Sequence, residues 1–475
     1  MLHKGYNLVL ATLSFVAIAL ITMAVKVGVD TPDAAIKAYQ GTIDDIDTTK
    51  NEAIENDEAT AKVDTVKIEV PPPPPARPKN IILMIGDGMG ITHITAATIA
   101  NKNKLHLERL PTVGLMKTFS NQLITDSAAS ATAMATGKKT YNGAIAMDSK
   151  GNKLKTIVEI AEEKGLATGI VTTSSVTHAT PASFYAHQPK RSRINREVSA
   201  EFMTKKIEVL MGGGKRYFKS KHRKDERDLI KELEKKGYTV VDNVDEVGEK
   251  VPRKMVCLIA DMQPKGYSRR GDFLPKATDK AAQILDRDKD GFFMVVEGAQ
   301  IDWGGHSRNS KFIINEMLDF DRSVGKALDF AEADGETLVI VTSDHETGGY
   351  SINEGSLKAG EVDAKFTDDY HTATMVPLYA YGPGAETFSG TIDNTDIFFK
   401  SCELLDFEIP ADILEARKKT ELEGLDATTK IDSMDIMEAH GADFGTGYGR
   451  RFKKKSNEYR VPSYELFSFR LAKKL

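Results

Sequence analysis

Residues 80–88 read NIILMIGDG, an apolar run that ends at an acidic residue, Asp87, between two glycines. A short apolar run bounded by turn residues is typical of a strand that is buried on both faces of a sheet. Three later runs follow the same pattern, since each leads into polar residues that could carry chemistry. They are residues 167–172 before His178 and Thr180, residues 292–296 before Glu297, and residues 337–341 before Asp344 and His345.

Helical stretches alternate with these strands, as the spacing of Ile314, Met317, Leu318 and Leu328 indicates. Alternating strands and helices predict an α/β fold with a mostly parallel central sheet that is covered by helices on both faces. Ligands in such sheets bind at the carboxyl ends of the strands. We therefore expect the polar residues after the four strands to meet at one edge of the sheet.

The segment around Ser127 carries a candidate nucleophile. Residues 128–136 are rich in alanine and lack proline, so a helix should begin near Ser127, with Asp126 or Ser127 as its cap. A hydroxyl at the start of a helix lies among unpaired N–H groups at the positive end of the helix dipole, where an alkoxide or a phosphate is favoured. We expect Ser127 to serve as both cap and nucleophile.

Histidine and carboxylate side chains supply candidate metal ligands. Asp302 and His306 lie in IDWGGH, residues 301–306, where two glycines predict a loop that folds both side chains onto one ion. Asp344 and His345 are adjacent, so a turn after the strand is needed to aim both inward. Mixed histidine and carboxylate ligands suit zinc, especially where one position stays open for water or substrate. The full candidate set is Asp87, Glu297, Asp302, His306, Asp344, His345 and His371.

Composition and cysteine spacing exclude several protein classes. The net charge of −5 argues against a generally basic nucleic-acid binder, and we expect no nucleic-acid partner. Cys257 and Cys402 are far apart and form no C-x-x-C motif, which argues against a zinc knuckle. Two buried free thiols are the favoured interpretation, and a single bridge between them is the alternative.

Two motif matches do not carry their usual function. Residues 209–218, VLMGGGKRYF, lack the Ser or Thr that follows Lys in a phosphate-binding P-loop, so we predict a tight structural turn there. Residues 286–297 match the EF-hand calcium pattern in full. The ninth residue of that match, Met294, falls in a predicted buried strand, which disfavours calcium. Residues 286–291 are therefore predicted to form a polar turn.

Both ends of the chain differ in composition from its middle. Lys4 and the apolar residues 8–25 predict a signal peptide or signal anchor within residues 1–28, with N-terminal membrane contact in the second case. The protein is then exported, to the periplasm or the cell surface. Residues 29–78 are acidic and end in a proline run, which predicts a tether. Residues 408–475 form a C-terminal extension whose basic end, 450–474, is either an exposed tail or a contact with an anionic surface.

The motifs, taken in order, resemble those of the alkaline phosphatases. They are IGDGMG at 85–90, TDSAASATA at 125–133, KTYNG at 139–143, THATPA at 177–182, VEGAQIDWGGH at 296–306 and TSDH at 342–345. The resemblance spans about residues 79–407, which are interpreted as the catalytic domain. It implies an alkaline-phosphatase-like three-layer sandwich and the hydrolysis of phosphate monoesters with broad specificity. A diesterase or sulfatase of the same superfamily, or an idle surface binding protein, are the alternatives.

The resemblance also assigns roles to individual residues. Ser127 would be the phosphorylated nucleophile, and Arg191 would clamp the phosphate, with Lys190, Arg193 and Arg196 as nearby alternatives. The remaining assignments concern two zinc ions and one magnesium ion: Asp302, His306 and His371 for one zinc, Asp87, Asp344 and His345 for the other, and Asp87, Thr180 and Glu297 for magnesium.

Two positions depart from the pattern of the best-studied bacterial members, which have Asp and Lys where this chain has His178 and Trp303. His178 could bind the third metal and let zinc compete with magnesium, while Trp303 removes a cation from beside the phosphate. Residues 346–371 are also few, so the insertion that larger members use at their dimer interface is expected to be reduced. A homodimer is expected, although this shorter segment weakens the argument for it.

Overall fold

A large sheet forms the centre of the part of the chain that the computed structural model describes, residues 77–192, 194–248 and 251–418. The strands are β1 (Asn80–Gly86), β2 (Thr112–Lys117), β3 (Ala167–Ser175), β4 (Val209–Gly213), β5 (Thr239–Val241), β6 (Met255–Ala260), β7 (Phe292–Gly298), β8 (Thr337–Thr342), β9 (Glu346–Thr347), β10 (Tyr350–Ser356), β11 (Glu361–Phe366), β12 (His371–Thr372), β13 (Val376–Tyr381) and β14 (Gly390–Asp393). Ten of them form one sheet in the order β14-β2-β13-β8-β1-β7-β3-β4-β6-β5. β13 pairs antiparallel with β2 and β8, and the other pairs are parallel.

Helices cover both faces of this sheet. They are α1 (Ile91–Ala100), α2 (Ser127–Thr136), α3 (Ile157–Lys164), α4 (Ala179–Ala182), α5 (Asn195–Phe202), α6 (Leu229–Lys235), α7 (Tyr267–Arg270), α8 (Phe273–Leu285), α9 (Gln300–His306), α10 (Ser310–Asp334) and α11 (Asp396–Leu404). Successive side chains of β1 point to opposite faces, so Ile81 and Leu83 pack in the core that contains α2, whereas Ile82 and Met84 pack in the core that contains α10. The predicted α/β architecture is confirmed.

The four strands that the sequence predicted are neighbours in the sheet, in the order β8-β1-β7-β3. They run parallel, so their carboxyl ends lie at one edge. Asp87 follows β1, Glu297 lies near the end of β7, and Asp344 follows β8. His178 and Thr180 come after β3 and lie at the start of α4. The sheet itself therefore brings these side chains together.

The glycine-rich segment 209–218 does not form the predicted turn over its whole length. Its first half is β4, a buried strand between β3 and β6, and the turn begins only at Gly214, whose φ is +95°. A Cβ on Gly213 would lie 2.3 Å from the carbonyl oxygen of Met262. These glycines thus allow close packing of a central strand, which the local sequence pattern does not distinguish from a turn.

Both cysteines are free and buried, as predicted. Burial raises the pKa of Cys257 and of Cys402 to about 12, so neither thiol is a reactive thiolate at neutral pH.

The predicted signal segment, the tether and the basic C-terminal stretch lie outside the described residues. Within the described part, no helix is long and apolar enough to cross a membrane. Helical structure continues over 411–418, where Ile413 is 1% exposed.

The end of α2 gives a stability test. Gly137 closes the helix in the left-handed region, with φ +72°, and a Cβ there would lie 2.6 Å from Cδ1 of Phe398. Gly335 closes α10 in the same way, with φ +66°, but a Cβ there would meet open space. Gly335→Ala should cost about 1–2 kcal/mol from backbone strain alone. Gly137→Ala should cost about 2–4 kcal/mol because overpacking adds to that strain. Urea unfolding of the two variants measures the difference, and equal losses would contradict this account.

Candidate active site

Asp126, rather than Ser127, caps α2. The Asp126 carboxylate accepts hydrogen bonds from the backbone N–H of Ala129 and of Gly143, each at 3.0 Å. Ser127 is the first residue of the helix. The prediction that Ser127 is also the cap was wrong, because Asp126 has the capping geometry. The Ser127 hydroxyl is left free to face the site, where Oγ lies 3.2 Å from Nε2 of His345.

Arg191 reaches the serine, while Arg193, one of the alternatives, lies outside the described residues. Its Nη1 donates to Oδ2 of Asp126 at 3.1 Å and lies 3.4 Å from Oγ of Ser127. Arg196, one of the alternatives, instead donates its Nε to the carbonyl of His222. A guanidinium beside the serine matches the position that a phosphate clamp requires.

Asp302, His306 and His371 form the first potential metal group, with their ligand atoms within 4.8 Å of one another. Oδ1 of Asp302 lies 3.3 Å from Nε2 of His306 and 3.6 Å from Nε2 of His371. The predicted loop is wrong, because Asp302 and His306 lie in α9, where their i, i+4 spacing puts both side chains on one face. The two glycines serve packing instead, since a Cβ on Gly305 would lie 2.6 Å from the carbonyl oxygen of Thr347.

Asp87, Asp344 and His345 form the second group and are all fully buried. Nε2 of His345 lies 3.2 Å from Oδ2 of Asp344 and 3.5 Å from Oδ1 of Asp87. β8 ends at Thr342, so Asp344 and His345 lie after the strand. The predicted turn is present there and lets both side chains point into the site. Oδ1 of Asp344 accepts from the N–H of Gly88 at 3.1 Å, which joins this turn to the loop after β1.

Asp87, His178 and Glu297 form the third group. Within the described part of the chain, five buried atoms here have no hydrogen-bond partner: both carboxylate oxygens of Asp87, Oε1 of Glu297, Nδ1 of His178 and Oγ1 of Thr180. Oδ2 of Asp344 in the second group is in the same state. Buried polar atoms almost always have partners, and these atoms include carboxylate oxygens that can only accept. The residues present therefore fit bound cations.

The buried carboxylates resist ionisation when no cation is near them. Burial raises the pKa of Asp87 well above its ordinary value, and the charges of Asp344 and Asp302 raise it further. Burial likewise raises the pKa of Asp344 to about 6 and that of Glu297 to about 7. Like charges crowded in a low dielectric produce these shifts, and a divalent cation would reverse them.

The histidines of the site differ in protonation according to burial. Burial lowers the pKa of His345 and of His371 to about 4 and that of His178 to about 3, so these rings are neutral at pH 7 and able to bind metal. His306 is more exposed, and its hydrogen bond to Asp302 raises its pKa to about 9.

Backbone carbonyls orient two of the histidines, and sequence reasoning missed them. Nδ1 of His371 lies 2.8 Å from the carbonyl oxygen of Thr125, and Nδ1 of His306 lies 2.6 Å from that of Asp369. Each ring thereby directs Nε2 toward the group it belongs to, as metal-binding histidines commonly do. A carbonyl is present at every residue, so the amino-acid sequence carries no signal for this role.

Hydroxyl groups orient the carboxylates, and these were also missed. Thr172 and Ser174 on β3 donate to Oε2 of Glu297, which leaves Oε1 for the third group. Oγ1 of Thr347 donates to Oδ1 of Asp302 at 2.5 Å. The position of Thr172 and Ser174 beside β7 follows from strand order, which becomes visible only in the fold.

Comparison with known proteins identifies the family. The family model "Alkaline phosphatase" matches residues 78–365. Alkaline phosphatase 3 of Bacillus subtilis is 37% identical over 419 residues, covering 70% of this chain and 90% of that one. The alkaline phosphatase of the Antarctic bacterium TAB5 has a solved structure, 40% identical with a TM-score of 0.65, covering 70% of this chain and 99% of that one. A TAB5 variant with a histidine replaced by aspartate, at 39% identity, TM-score 0.65 and the same coverages, has Mg bound in its M3 site. The chain described here belongs to the alkaline phosphatase family and is a hydrolase of phosphate monoesters.

Proposed function

We propose that this phosphate monoesterase works through a phosphoserine at Ser127 and depends on metal ions held at three adjoining groups. The observation that carries the proposal is the convergence of the Ser127 hydroxyl, the Arg191 guanidinium and the buried ligand groups at one edge of the sheet. A nucleophile, an anion clamp and cation ligands in one place are the parts that phosphoryl transfer requires.

The first two groups are proposed to hold zinc. Asp302, His306 and His371 supply mixed nitrogen and oxygen ligands, as does the group of Asp87, Asp344 and His345, and zinc favours such sets. A pair of divalent cations, when bound, stabilises the entering and leaving oxygens of an in-line displacement. The third group is proposed to hold magnesium, with Asp87, Thr180 and Glu297 as oxygen ligands.

The residues of the chain would position the phosphoryl group for two successive displacements. Arg191 would hold two of its non-bridging oxygens, and the unpaired N–H groups at the start of α2 favour its negative charge. The Ser127 oxygen would form a bond to phosphorus while the bond to the leaving alcohol breaks, and the alcohol takes up a proton. Water would then cleave the phosphoserine and release inorganic phosphate. Because the charged phosphoryl group is the part that is gripped, broad specificity for the alcohol is expected.

His178 is proposed as a ligand of the third metal. It lies with Asp87 and Glu297 within ligand distance, and its Nδ1 is buried without a partner among the described residues. A nitrogen ligand there would let zinc compete with magnesium.

Residues 79–407 are proposed as the catalytic domain. An export segment within residues 1–28 and the tether of residues 29–78 would precede it in the chain. The exported enzyme would be retained at the membrane if the apolar segment is uncleaved. A homodimer is proposed because Val113 and Leu115 of β2 are 57% and 37% exposed, which leaves apolar surface on the sheet.

Ser127→Ala should abolish the covalent intermediate, because no other hydroxyl is proposed to attack. The full-length enzyme is incubated with a chromogenic phosphate monoester, quenched in acid, and its mass is measured for one added phosphoryl group. We expect turnover to fall by at least about 10³-fold, because removal of a catalytic serine nucleophile costs more than that, and we expect the added mass to disappear. Ser149→Ala, at an exposed turn, is the control and should retain both. Full activity in Ser127→Ala would overturn the proposal.

Removal of metal should lower both activity and stability. Without metal, buried carboxylates such as Asp87, Asp344 and Glu297 lose the charge that compensates theirs. A metal ion present at a thousandfold its Kd adds about 4 kcal/mol per site to the free energy of unfolding. Chelation should therefore lower the thermal midpoint as well as abolish turnover, and zinc with magnesium should restore both. Asp87→Ala lacks a ligand that two of the groups share, so it should bind metal more weakly. Chelation should therefore lower its thermal midpoint by less than that of the wild type. Chelator-insensitive turnover would contradict the metal assignment.

Arg191→Ala should weaken phosphate binding, because the guanidinium is proposed to hold two phosphate oxygens. The KM for substrate and the inhibition constant of inorganic phosphate should each rise roughly 10-fold or more, as expected for a charge-assisted hydrogen bond. Lys190→Ala, at the exposed neighbouring residue, should change neither constant by more than about twofold. Steady-state kinetics with phosphate as a competitive inhibitor measures both, and equal effects in the two variants would refute the assignment.

A further inference from the structure

The exposure of the site residues shows which side of the site is open to solvent. Asp87 and His345 are fully buried, whereas the side chains of His306 and Arg191 are 35% and 29% exposed. Tyr370, next to His371 in the chain, is 46% exposed. The site therefore opens beside the group of Asp302, His306 and His371, and Tyr370 stands at that opening.

The ring of Tyr370 packs directly on a ligand of this group. Its plane is within 4° of the His371 ring, with the two centroids 4.3 Å apart, and His371 in turn stacks on His345 at 3.5 Å. The Tyr370 ring also lies 5.9 Å from the ring of His306, at 45°. A column of stacked rings thus runs from the buried His345 to the partly exposed Tyr370.

The backbone around Tyr370 is held in place. Its carbonyl accepts from the N–H of Gly348 at 2.9 Å, and its N–H donates to Oδ1 of Asp368 at 3.1 Å. Arg308 donates to the carbonyl of Asp368 at 3.2 Å and lies 3.3 Å from the Asp369 carboxylate. The ring is therefore presented by a fixed segment, which reduces the entropy lost when a second ring packs against it.

We infer that Tyr370 contacts the leaving group of the substrate and favours phosphate monoesters of planar aromatic alcohols over those of aliphatic alcohols. The inference rests on the proposed function and on one assignment within it. His345 of the second group lies 3.2 Å from the attacking Ser127 hydroxyl, so the group of Asp302, His306 and His371 is assigned to the leaving oxygen. An aryl group bonded to that oxygen emerges toward the opening, where the exposed part of the Tyr370 ring offers offset-stacked or edge-to-face contact. An aliphatic alcohol gains no such geometry-dependent contact.

The test compares two substrates across matched variants of the full-length, metal-loaded enzyme. kcat/KM is measured for phenyl phosphate and for glycerol 2-phosphate in wild type, Tyr370→Phe and Tyr370→Leu. For each substrate, the kcat/KM of a variant is divided by that of the wild type. This ratio cancels the different reactivities of the two esters. The aryl-to-alkyl ratio should fall about 2- to 12-fold in Tyr370→Leu, as the loss of one aromatic pair predicts, and stay within about twofold in Tyr370→Phe, which keeps the ring.

A binding measurement makes the result independent of turnover. Calorimetric titration with phenylphosphonate and methylphosphonate, which are not hydrolysed, should show the same selective weakening for the phenyl ligand in Tyr370→Leu. Metal content is measured in each variant. Equal losses for both ligands, with or without loss of metal, would show that Tyr370 only supports His371 and would overturn the inference, as would equal losses in the Phe and Leu variants. If wild type hydrolyses neither ester, the proposed function fails, while the phosphonate titration still decides the role of Tyr370.

Discussion

The crowding of acidic groups at the carboxyl edge of the sheet is the constraint on which the rest of the site depends. Asp87, Glu297 and Asp344 are attached to three adjacent parallel strands, β1, β7 and β8, so the sheet forces their side chains together. An isolated ionised carboxylate is costly in a buried, low-dielectric position, and three of them together are costlier. Protonation or a bound cation can relieve this cost. The neutral buried histidines beside them supply further ligands and so favour the cation.

The two halves of the site differ in burial: Asp87, Asp344 and His345 are fully buried, whereas the side chain of His306 in the other group is 35% exposed. Asp87 and Asp344 are tied to each other's loops through the N–H of Gly88. Asp302 and His306 instead depend on α9 packing closely against β9, where Thr347 contacts both Gly305 and the Asp302 carboxylate. This division suits a phosphoryl-transfer enzyme, because the attacking serine needs a fixed setting whereas the leaving group must enter and depart.

Local sequence patterns predicted the strands and the candidate ligands that the fold brings together, but not how these side chains are held. Apolar runs mark β1, β3, β7 and β8, and the polar residues after them mark the site. The pair of glycines in residues 304–305 was misinterpreted as a loop because glycine lowers helix propensity, whereas here tertiary packing against Thr347 requires a residue without a side chain. Gly213 in β4 was misinterpreted as part of a turn because glycine is common in turns, whereas here close packing against the carbonyl of Met262 requires a residue without a side chain. The carbonyls of Thr125 and Asp369 have no signature in residue type, so their role emerges only from the fold.

His178, Trp303 and Tyr370 all add aromatic rings around the site. The resemblance implies a cation at the position of Trp303 in the best-studied bacterial members, and here the Trp303 ring meets that of His178 edge-on at 6.3 Å. Arg191 lies 3.4 Å from the Ser127 hydroxyl, so in the proposed mechanism the phosphate would meet this guanidinium together with aromatic surface. Aromatic surface discriminates by shape and geometry, while a lysine attracts any phosphate alike. In the proposed mechanism, the alcohol part of the substrate should therefore influence binding alongside the phosphate.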